Sequence, residues 1–299
     1  MELDKHVVSC FVKTMTDAKK MTDPHQYCQD KAAASGSSFY YSFMFLPGER
    51  RQAITALYAF CREVDDIADE CSDPNIARTK LAWWRAEIIN LYAGRPQHPV
   101  TQALAPAVTA FGLNEEYFHE IIDGMEMDVE QNRYADFKEL QLYCYRVASV
   151  VGLLSVSIFG YSDRKTLKYA HDLGLAFQLT NIIRDVGEDA RRNRIYLPQD
   201  ELARFQVTEH DILHGHENMQ IRSLLEFQIE RAQDFYQRAY AELPVADRKA
   251  QRPGLMMAAI YQALLQEIKS GNCEIVLNQR ISLTPLRKLW LAWRTWIFS

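Results

Sequence analysis

Two sets of acidic residues recur at helical spacing in this sequence, and carboxylates spaced in that way can hold divalent cations. In ITALYAFCREVDDIADE, Tyr58, Arg62, Asp65 and Asp69 follow i, i+4, i+7, i+11 and share one stripe, while Ile54, Leu57, Cys61, Val64 and Ala68 make an apolar face. Asp65 and Asp69 fall about 6 Å apart along the helix axis and point the same way, so they can share magnesium ions that also hold a diphosphate. Such a pair alone is ordinarily a solvated face. A second stripe changes that balance. In YAHDLGLAFQLTNIIRDVGEDARRNRIYLP, Gln178, Asn181, Asp185 and Asp189 follow i, i+3, i+7, i+11 through a helix otherwise made of Leu, Ala, Phe, Ile and Val. Two amides and two acids on such a helix are costly to bury unless something satisfies them.

Facing each other, the two stripes would form a cavity with magnesium-binding carboxylates on opposite walls. Arg62, Arg184, Arg191 and Arg194 are the candidate counter-charges for phosphate. This resembles the wall of a class I prenyl-transfer site, where an allylic diphosphate must release pyrophosphate and metal ions neutralise the charge that develops. The carbocation left behind needs an apolar, aromatic chamber without free water. SSFYYSFMF places Phe39 and Phe43 on one face, and YCYRVASVVGLLSV places Tyr143, Val147 and Val151 on another. Ala148, Ser149 and Gly152 beside them are small enough for a neighbouring helix or an isoprene chain to come close. Taken singly, each of these stripes is also the pattern of an ordinary core.

The elements that position these residues are helices. Apolar residues recur at three- and four-residue spacing through long stretches, and the 12 glycines and 10 prolines fall between them. Breaks are expected at Pro47-Gly48, Ser72-Asp73-Pro74, Gly94-Arg95-Pro96, Gly112, Gly160 to Asp163, Asn193 to Pro198, and Arg252-Pro253-Gly254. No strand is evident, so the expected fold is all-α, a single-domain helical bundle around a central cavity. Hydrophobic residues at 48% can furnish a sizeable core, and a formal net charge of -5 gives no broad footprint for nucleic acid. The six cysteines contain no CxxC pair and suggest a reducing compartment, and a cytoplasmic location is the default expectation. Residues 1–20 read as an extension, 21–283 as the domain, and 284–299 as a tail. That tail, TPLRKLWLAWRTWIFS, carries Arg287, Lys288 and Arg294 without an acid and spaces Trp290, Trp293 and Ile297 along one face. It suits either peripheral contact with an anionic membrane or docking on the protein body.

From about Tyr27 to about Arg280 the chain resembles the squalene and phytoene synthase family. SGSSFYYSFMFLPGERRQAITALYAFCREVDDIADE resembles the first helices and first aspartate-rich motif of that family. QLTNIIRDVGEDARRNRIYLPQDEL resembles the second motif, with the basic segment that covers the active site. The resemblance implies a class I isoprenoid synthase fold and assigns magnesium, or manganese, to Asp65, Asp69, Asp185 and Asp189, with Asn181 beside the second pair. It implies that Arg62 holds phosphate and that Tyr58, Tyr143, Gln178 and Tyr261 line the site near the reacting carbons or the diphosphate. Ser38 and Phe39 match the start of the pocket. Arg280 resembles a phosphate-contacting arginine, although its distance from Tyr261 departs from the family pattern.

Within the family, ASGSSFYYSF, CYRVASVVGLLSV and LTNIIRDVGEDARRNRIYLPQDEL are most similar to the bacterial presqualene diphosphate synthases associated with hopanoid precursors. The implied reaction joins two farnesyl diphosphates head to head, and handover to a downstream squalene-forming enzyme would follow. Two related readings stay open: phytoene synthase acting on two geranylgeranyl diphosphates, and full squalene synthase, which alone would call on NADPH. No Gly-rich dinucleotide fingerprint accompanies the motifs. A chain-elongating prenyltransferase or cyclase fits the DVGEDARRNRIYLP segment less well, and a catalytically dead assembly factor would be expected to lose metal-site acids that are all present here. His210, His214 and His216 cluster in EHDILHGHE without a cysteine and read as a surface turn rather than a zinc site.

Overall fold

The computed structural model describes residues 23–34, 42–43, 45–71, 73–271 and 273–299. Ser38, Phe39, Met21 and the expected extension 1–20 lie outside the described residues. Thirteen α-helices account for most of what is described: α1 (Pro24–Ala34), α2 (Gly48–Glu70), α3 (Pro74–Tyr92), α4 (Pro99–Phe111), α5 (Glu115–Glu130), α6 (Phe137–Cys144) and α7 (Val150–Phe159) come first. They are followed by α8 (Lys165–Arg191), α9 (Gln199–Arg204), α10 (Glu209–Leu213), α11 (Met219–Glu242), α12 (Arg252–Ser270) and α13 (Pro285–Phe298). No strand occurs among the described residues; one isolated parallel bridge pairs Arg133 with Ile195.

Turn chemistry sets the helix boundaries. Asp73, Asn114 and Asp136 each accept a backbone N–H from the first turn of α3, α5 and α6, and Gly112 closes α4 in the left-handed region at φ 59°. One expected break lies differently. Arg252, Pro253 and Gly254 form the first turn of α12, because proline is tolerated where no intrahelical N–H bond is required. A five-residue π-helical turn, Tyr145–Ser149, joins α6 to α7, so that 137–159 is one helical run. By length and composition that run is apolar enough to cross a membrane, but half of its apolar window is buried inside the bundle.

The buried apolar residues form two clusters, one gathered on α8, α11 and α12 and the other on α2 to α5 and α7. α8 is the hub, packed along α11, α7, α12 and the π turn. Two glycines make its close approaches. A Cβ on Gly174 would stand 2.5 Å from the Ser149 Cα, and one on Gly187 would stand 2.0 Å from the Leu277 carbonyl oxygen. The first lets the π turn lie against α8; the second brings the 3-10 segment Cys273–Leu277, and with it Arg280, to the C-terminal half of α8.

α13 packs on α12 through a stripe that includes the fully buried Ala292. Trp296 stacks on Phe45 with ring centroids 5.2 Å apart, and Arg252 donates to the Ser299 main-chain oxygen at 2.9 and 3.1 Å. Trp290 and Trp293 stay about half exposed. The five described cysteines are all unpaired.

Candidate active site

A cavity of about 690 Å³ opens along the seam between the two core clusters. Its floor on one side is α8, which contributes Tyr169, Leu173, Phe177, Gln178, Asn181, Asp185 and Asp189 over five turns. α2 supplies Tyr58, Arg62, Asp65 and Asp69 opposite, and the end of α6, the π turn and the start of α7 supply Tyr143, Val147 and Val151 in turn. Phe43, Arg184, Tyr261 and Arg280 complete the set of sequence candidates that reach the cavity. One end is therefore lined by carboxylates and arginines, and the remainder mainly by apolar and aromatic side chains with a few uncharged polar ones among them.

Both stripes face this space because each sits on a helix whose opposite face is apolar. On α2, Ile54, Leu57 and Val64 are buried at 3% exposure or less and turn the Tyr58–Asp69 stripe inward. The acids of this wall are tied to cations of the chain itself. Arg62 bridges Asp65 and Asp66, and Lys31 adds a pair to Asp66 at 2.8 Å and to Glu63 at 3.1 Å. Asp69 is held across the cavity from the end of α8, by Arg192 at 3.0 Å and Arg194 at 2.9 Å. Arg194 also donates to the Ala68 carbonyl at 3.0 Å.

The turn that aims these arginines is built on Asn193, a residue that tolerates the left-handed φ of 57° it adopts. Arg133 fixes the turn by donating to the Asn193 carbonyl at 2.7 Å and its side-chain oxygen at 3.2 Å. Arg191, expected from the sequence to meet phosphate, lies outside the cavity and is exposed. The helix phase explains this: Arg191 is the last residue of α8 and two positions past Asp189, so it projects away from the stripe. Arg192, one residue further and already beyond the helix, takes the place.

The second wall is less saturated. Arg184 pairs with its neighbour Asp185, and Arg280 reaches Asp185 at 3.1 Å and Glu188 at 3.5 Å. Asp189 makes no ion pair among the described residues, and the Asn181 Oδ1 is buried without a hydrogen-bond partner. Burial, then the adjacent Asp185 charge, push the Asp189 carboxyl up to about 8, and Asp65 rises to about 6 chiefly through burial. Two carboxyls raised in this way and an orphaned amide oxygen, all lining one space, are hard oxygen donors of the kind divalent cations prefer. Among the described residues no three or more of the usual ligand side chains converge tightly enough to cage a metal by themselves. That suits magnesium, which is usually held by one or two carboxylates together with substrate phosphates.

Sequence reasoning missed a group behind Tyr143. Tyr143 donates its hydroxyl to Asp128 Oδ2 at 2.9 Å and Tyr196 donates to Asp128 Oδ1 at 2.7 Å. The Tyr143 and Tyr196 rings stack with centroids 5.2 Å apart. Burial raises Asp128 to about 6 against the lowering effect of these bonds and of Arg194. Because the Tyr143 proton is committed to Asp128, the oxygen lone pairs are what this residue can offer the cavity. Asp128 lies on α5 in GMEMDVE, where no stripe marks it, and only the fold brings it behind α6. Lys288 of α13 and Glu188 also line the cavity and were not anticipated.

The histidine cluster sits in the exposed α10 turn, with ring centroids of His210 and His214 3.9 Å apart and His214 and His216 5.9 Å apart. The Nδ1 atoms of His214 and His216 lie against the His210 carbonyl and Asp211, contacts that belong to the turn.

Comparison with known proteins places this geometry. The squalene/phytoene synthase family profile matches residues 32–287. A phytoene synthase of Arthrospira platensis is 36% identical over 281 residues, covering 90% of this chain and 91% of that protein. A crystal structure of a dehydrosqualene synthase in complex with ligand superposes with a TM-score of 0.80 at 26% identity, over 94% of this chain and 97% of that one. Squalene synthase HpnC from Alicyclobacillus acidocaldarius superposes with a TM-score of 0.75 at 25% identity, over 84% of this chain and 94% of that one. With an all-α isoprenoid synthase fold and this agreement along nearly its whole length, the chain belongs to the squalene/phytoene synthase family and is a prenyltransferase of isoprenoid biosynthesis.

Proposed function

We propose that the protein condenses two farnesyl diphosphates head to head to presqualene diphosphate. The observation that carries this reading is the cavity itself, polar and acid-walled at one end and apolar along the rest of α8. Asp65 and Asp69 from α2, and Asp185 and Asp189 with Asn181 from α8, would hold Mg2+, or Mn2+, together with the diphosphates. When bound, the divalent cation neutralises the pyrophosphate that leaves as the C1–O bond of the first substrate breaks. Arg62, Arg184, Arg192 and Arg280, which line the cavity, meet the phosphate charge that the metal leaves over, those now paired to acids exchanging part of that contact for phosphate, while Arg194, predicted from the sequence to join them, stands outside the lining and holds Asp69.

The C1 cation is then attacked by the C2–C3 double bond of the second farnesyl chain, and loss of a proton from the same C1 closes the cyclopropane. Phe43, Tyr58, Tyr143, Phe177 and Tyr261 line the space where that charge passes and stabilise it with ring faces and lone pairs while excluding water. Asp128 keeps the Tyr143 hydroxyl turned so that its oxygen faces the chamber. Gln178 and Arg184, at the border of the two regions, orient the diphosphate end; Val147 and Val151 shape the apolar one.

The structural likeness to a dehydrosqualene synthase and to HpnC supports the fifteen-carbon substrate, as do the motifs most similar to presqualene diphosphate synthases. The 36% identity to a phytoene synthase favours a second reading, condensation of two geranylgeranyl diphosphates. NADPH enters only if the product is carried on to squalene; otherwise presqualene diphosphate passes to a squalene-forming enzyme. A cytoplasmic enzyme resting on the inner face of the membrane through α13 fits this chemistry, since Trp290, Trp293 and Ile297 stand exposed on one face with Arg287 and Arg294 flanking it. The test is product identification. The purified protein is incubated with magnesium and either diphosphate, without NADPH, and the phosphatase-treated extract is read by mass spectrometry. Presqualene alcohol from farnesyl diphosphate is expected; phytoene from the longer substrate alone would assign the second reading.

A further inference from the structure

The far end of the cavity carries two polar groups that the chemistry at the acidic end does not use. Tyr169 lines the cavity at 1% exposure and Gln251 lines it at 0%, and neither the Tyr169 hydroxyl nor the Gln251 Oε1 has a hydrogen-bond partner. The two belong to one corner. The Tyr169 hydroxyl stands 2.7 Å from where a Gly254 Cβ would be, and Gln251 precedes Gly254 by one turn at the start of α12. The amide orientation of Gln251 is fixed, because its Nε2 donates to the Gly160 carbonyl at 2.8 Å and the flipped amide would set oxygen against oxygen. Buried polar atoms without a protein partner are ordinarily satisfied by water.

The position of this corner relates it to substrate length. Asp185 and Tyr169 lie sixteen residues apart on α8, about 24 Å along its axis. Diphosphate and cations take up roughly the first turn, about 5 Å, and leave about 19 Å for a prenyl tail laid along the helix. An extended carbon chain advances about 1.25 Å per bond, so a farnesyl tail spans about 14 Å and a geranylgeranyl tail about 19 Å. The shorter tail ends one isoprene unit before Tyr169, and the longer one reaches it.

We propose that Tyr169 and Gln251 form a hydrated polar stop at the end of the chamber that selects the fifteen-carbon over the twenty-carbon prenyl diphosphate. This rests on the acid-walled cavity being a prenyl diphosphate site. A fourth isoprene unit would have to displace the water and leave a hydroxyl and a carbonyl facing hydrocarbon, a loss on the order of tenfold in binding for each group. A third unit leaves the hydration in place.

The test compares kcat/KM for farnesyl and geranylgeranyl diphosphates in the wild type, Tyr169→Phe and Gln251→Leu, with thermal melts to verify that each variant is folded. Tyr169→Phe removes one oxygen and keeps the ring. The wild type is expected to prefer the farnesyl substrate, and in Tyr169→Phe the ratio of geranylgeranyl to farnesyl kcat/KM is expected to rise about tenfold, with a rise of the same sign in Gln251→Leu. A ratio that stays at the wild-type value in both folded variants, with farnesyl still preferred, overturns the polar stop and leaves the proposed function standing. A wild type that prefers the longer substrate, or turns over neither, overturns both.

Discussion

The two acidic walls of the cavity are built from similar residues but stand in different electrostatic states. On α2 every aspartate of the motif is engaged by a basic side chain of the same protein: Asp65 and Asp66 by Arg62, Asp66 again by Lys31, Asp69 by Arg192 and Arg194. On α8, Asp185 is engaged, but Asp189 makes no ion pair among the described residues and the Asn181 Oδ1 is unpartnered. The first wall is thus organised by ion pairs within the fold, whereas the second keeps a buried carboxyl and an amide oxygen that no described side chain pairs. On the proposed function, the preassembled wall would fix where the diphosphate goes, and the electrostatically incomplete one would make binding conditional on metal.

The comparison breaks most sharply at Asp189. Asp189→Asn is expected to lower kcat/KM by about a thousandfold, roughly 4 kcal/mol of transition-state stabilisation. Because it removes a carboxylate that burial and Asp185 already disfavour, its melting temperature should match or exceed that of the wild type. Turnover near wild type at saturating magnesium would remove Asp189 from the metal site. Asp65→Asn and Asp185→Asn should show comparable losses of turnover.

On the first wall the expected outcome is structural. Arg194→Ala takes away the bonds to Asp69 and to the Ala68 carbonyl and should cost about 1 to 3 kcal/mol in chemical denaturation. A variant as stable as the wild type would show that the arginine latch does not hold the walls together. A gentler version of the same contrast is read by pH. Asp65 and Asp189 bind protons more readily in the folded chain than in an unfolded one, whose carboxyls titrate near about 4. Their contribution to stability is therefore complete below that value and is lost as pH rises through about 6 for Asp65 and about 8 for Asp189. In EDTA the melting temperature should fall by a few degrees between pH 6 and 9, and magnesium with pyrophosphate should restore most of it at the alkaline end. A flat profile in EDTA would mean that the second wall is not charge-strained.

The smallest expected effect lies outside both walls. Replacing the exposed Trp290 and Trp293 with alanine should change stability by no more than about 0.5 kcal/mol yet weaken sedimentation with anionic vesicles. Equal vesicle binding by both proteins would leave α13 as packing alone.

Much of this was legible in the sequence because the two stripes are local. A residue repeating at i, i+4, i+7 and i+11 stays on one helix face whatever the rest of the chain does, so the α2 and α8 walls could be read directly. The all-α fold followed from the same periodicity. What depended on tertiary packing could not be read. Asp128 is an isolated acid on α5 until α6 and the 193–198 turn bring Tyr143 and Tyr196 to it. Arg192 and Arg191 are adjacent, and only the helix end and the Asn193 backbone decide which of them enters the cavity. The unpartnered Tyr169 and Gln251 became visible only when α12 was placed against α8.

The central claim, that an incomplete acidic wall makes diphosphate binding depend on a divalent cation, is tested most directly by calorimetric titration of the protein with farnesyl thiodiphosphate, which resists ionisation. Saturable binding in magnesium, its loss in EDTA, and its loss in Asp189→Asn despite magnesium are the predicted results. Binding of equal strength with and without magnesium would contradict the account.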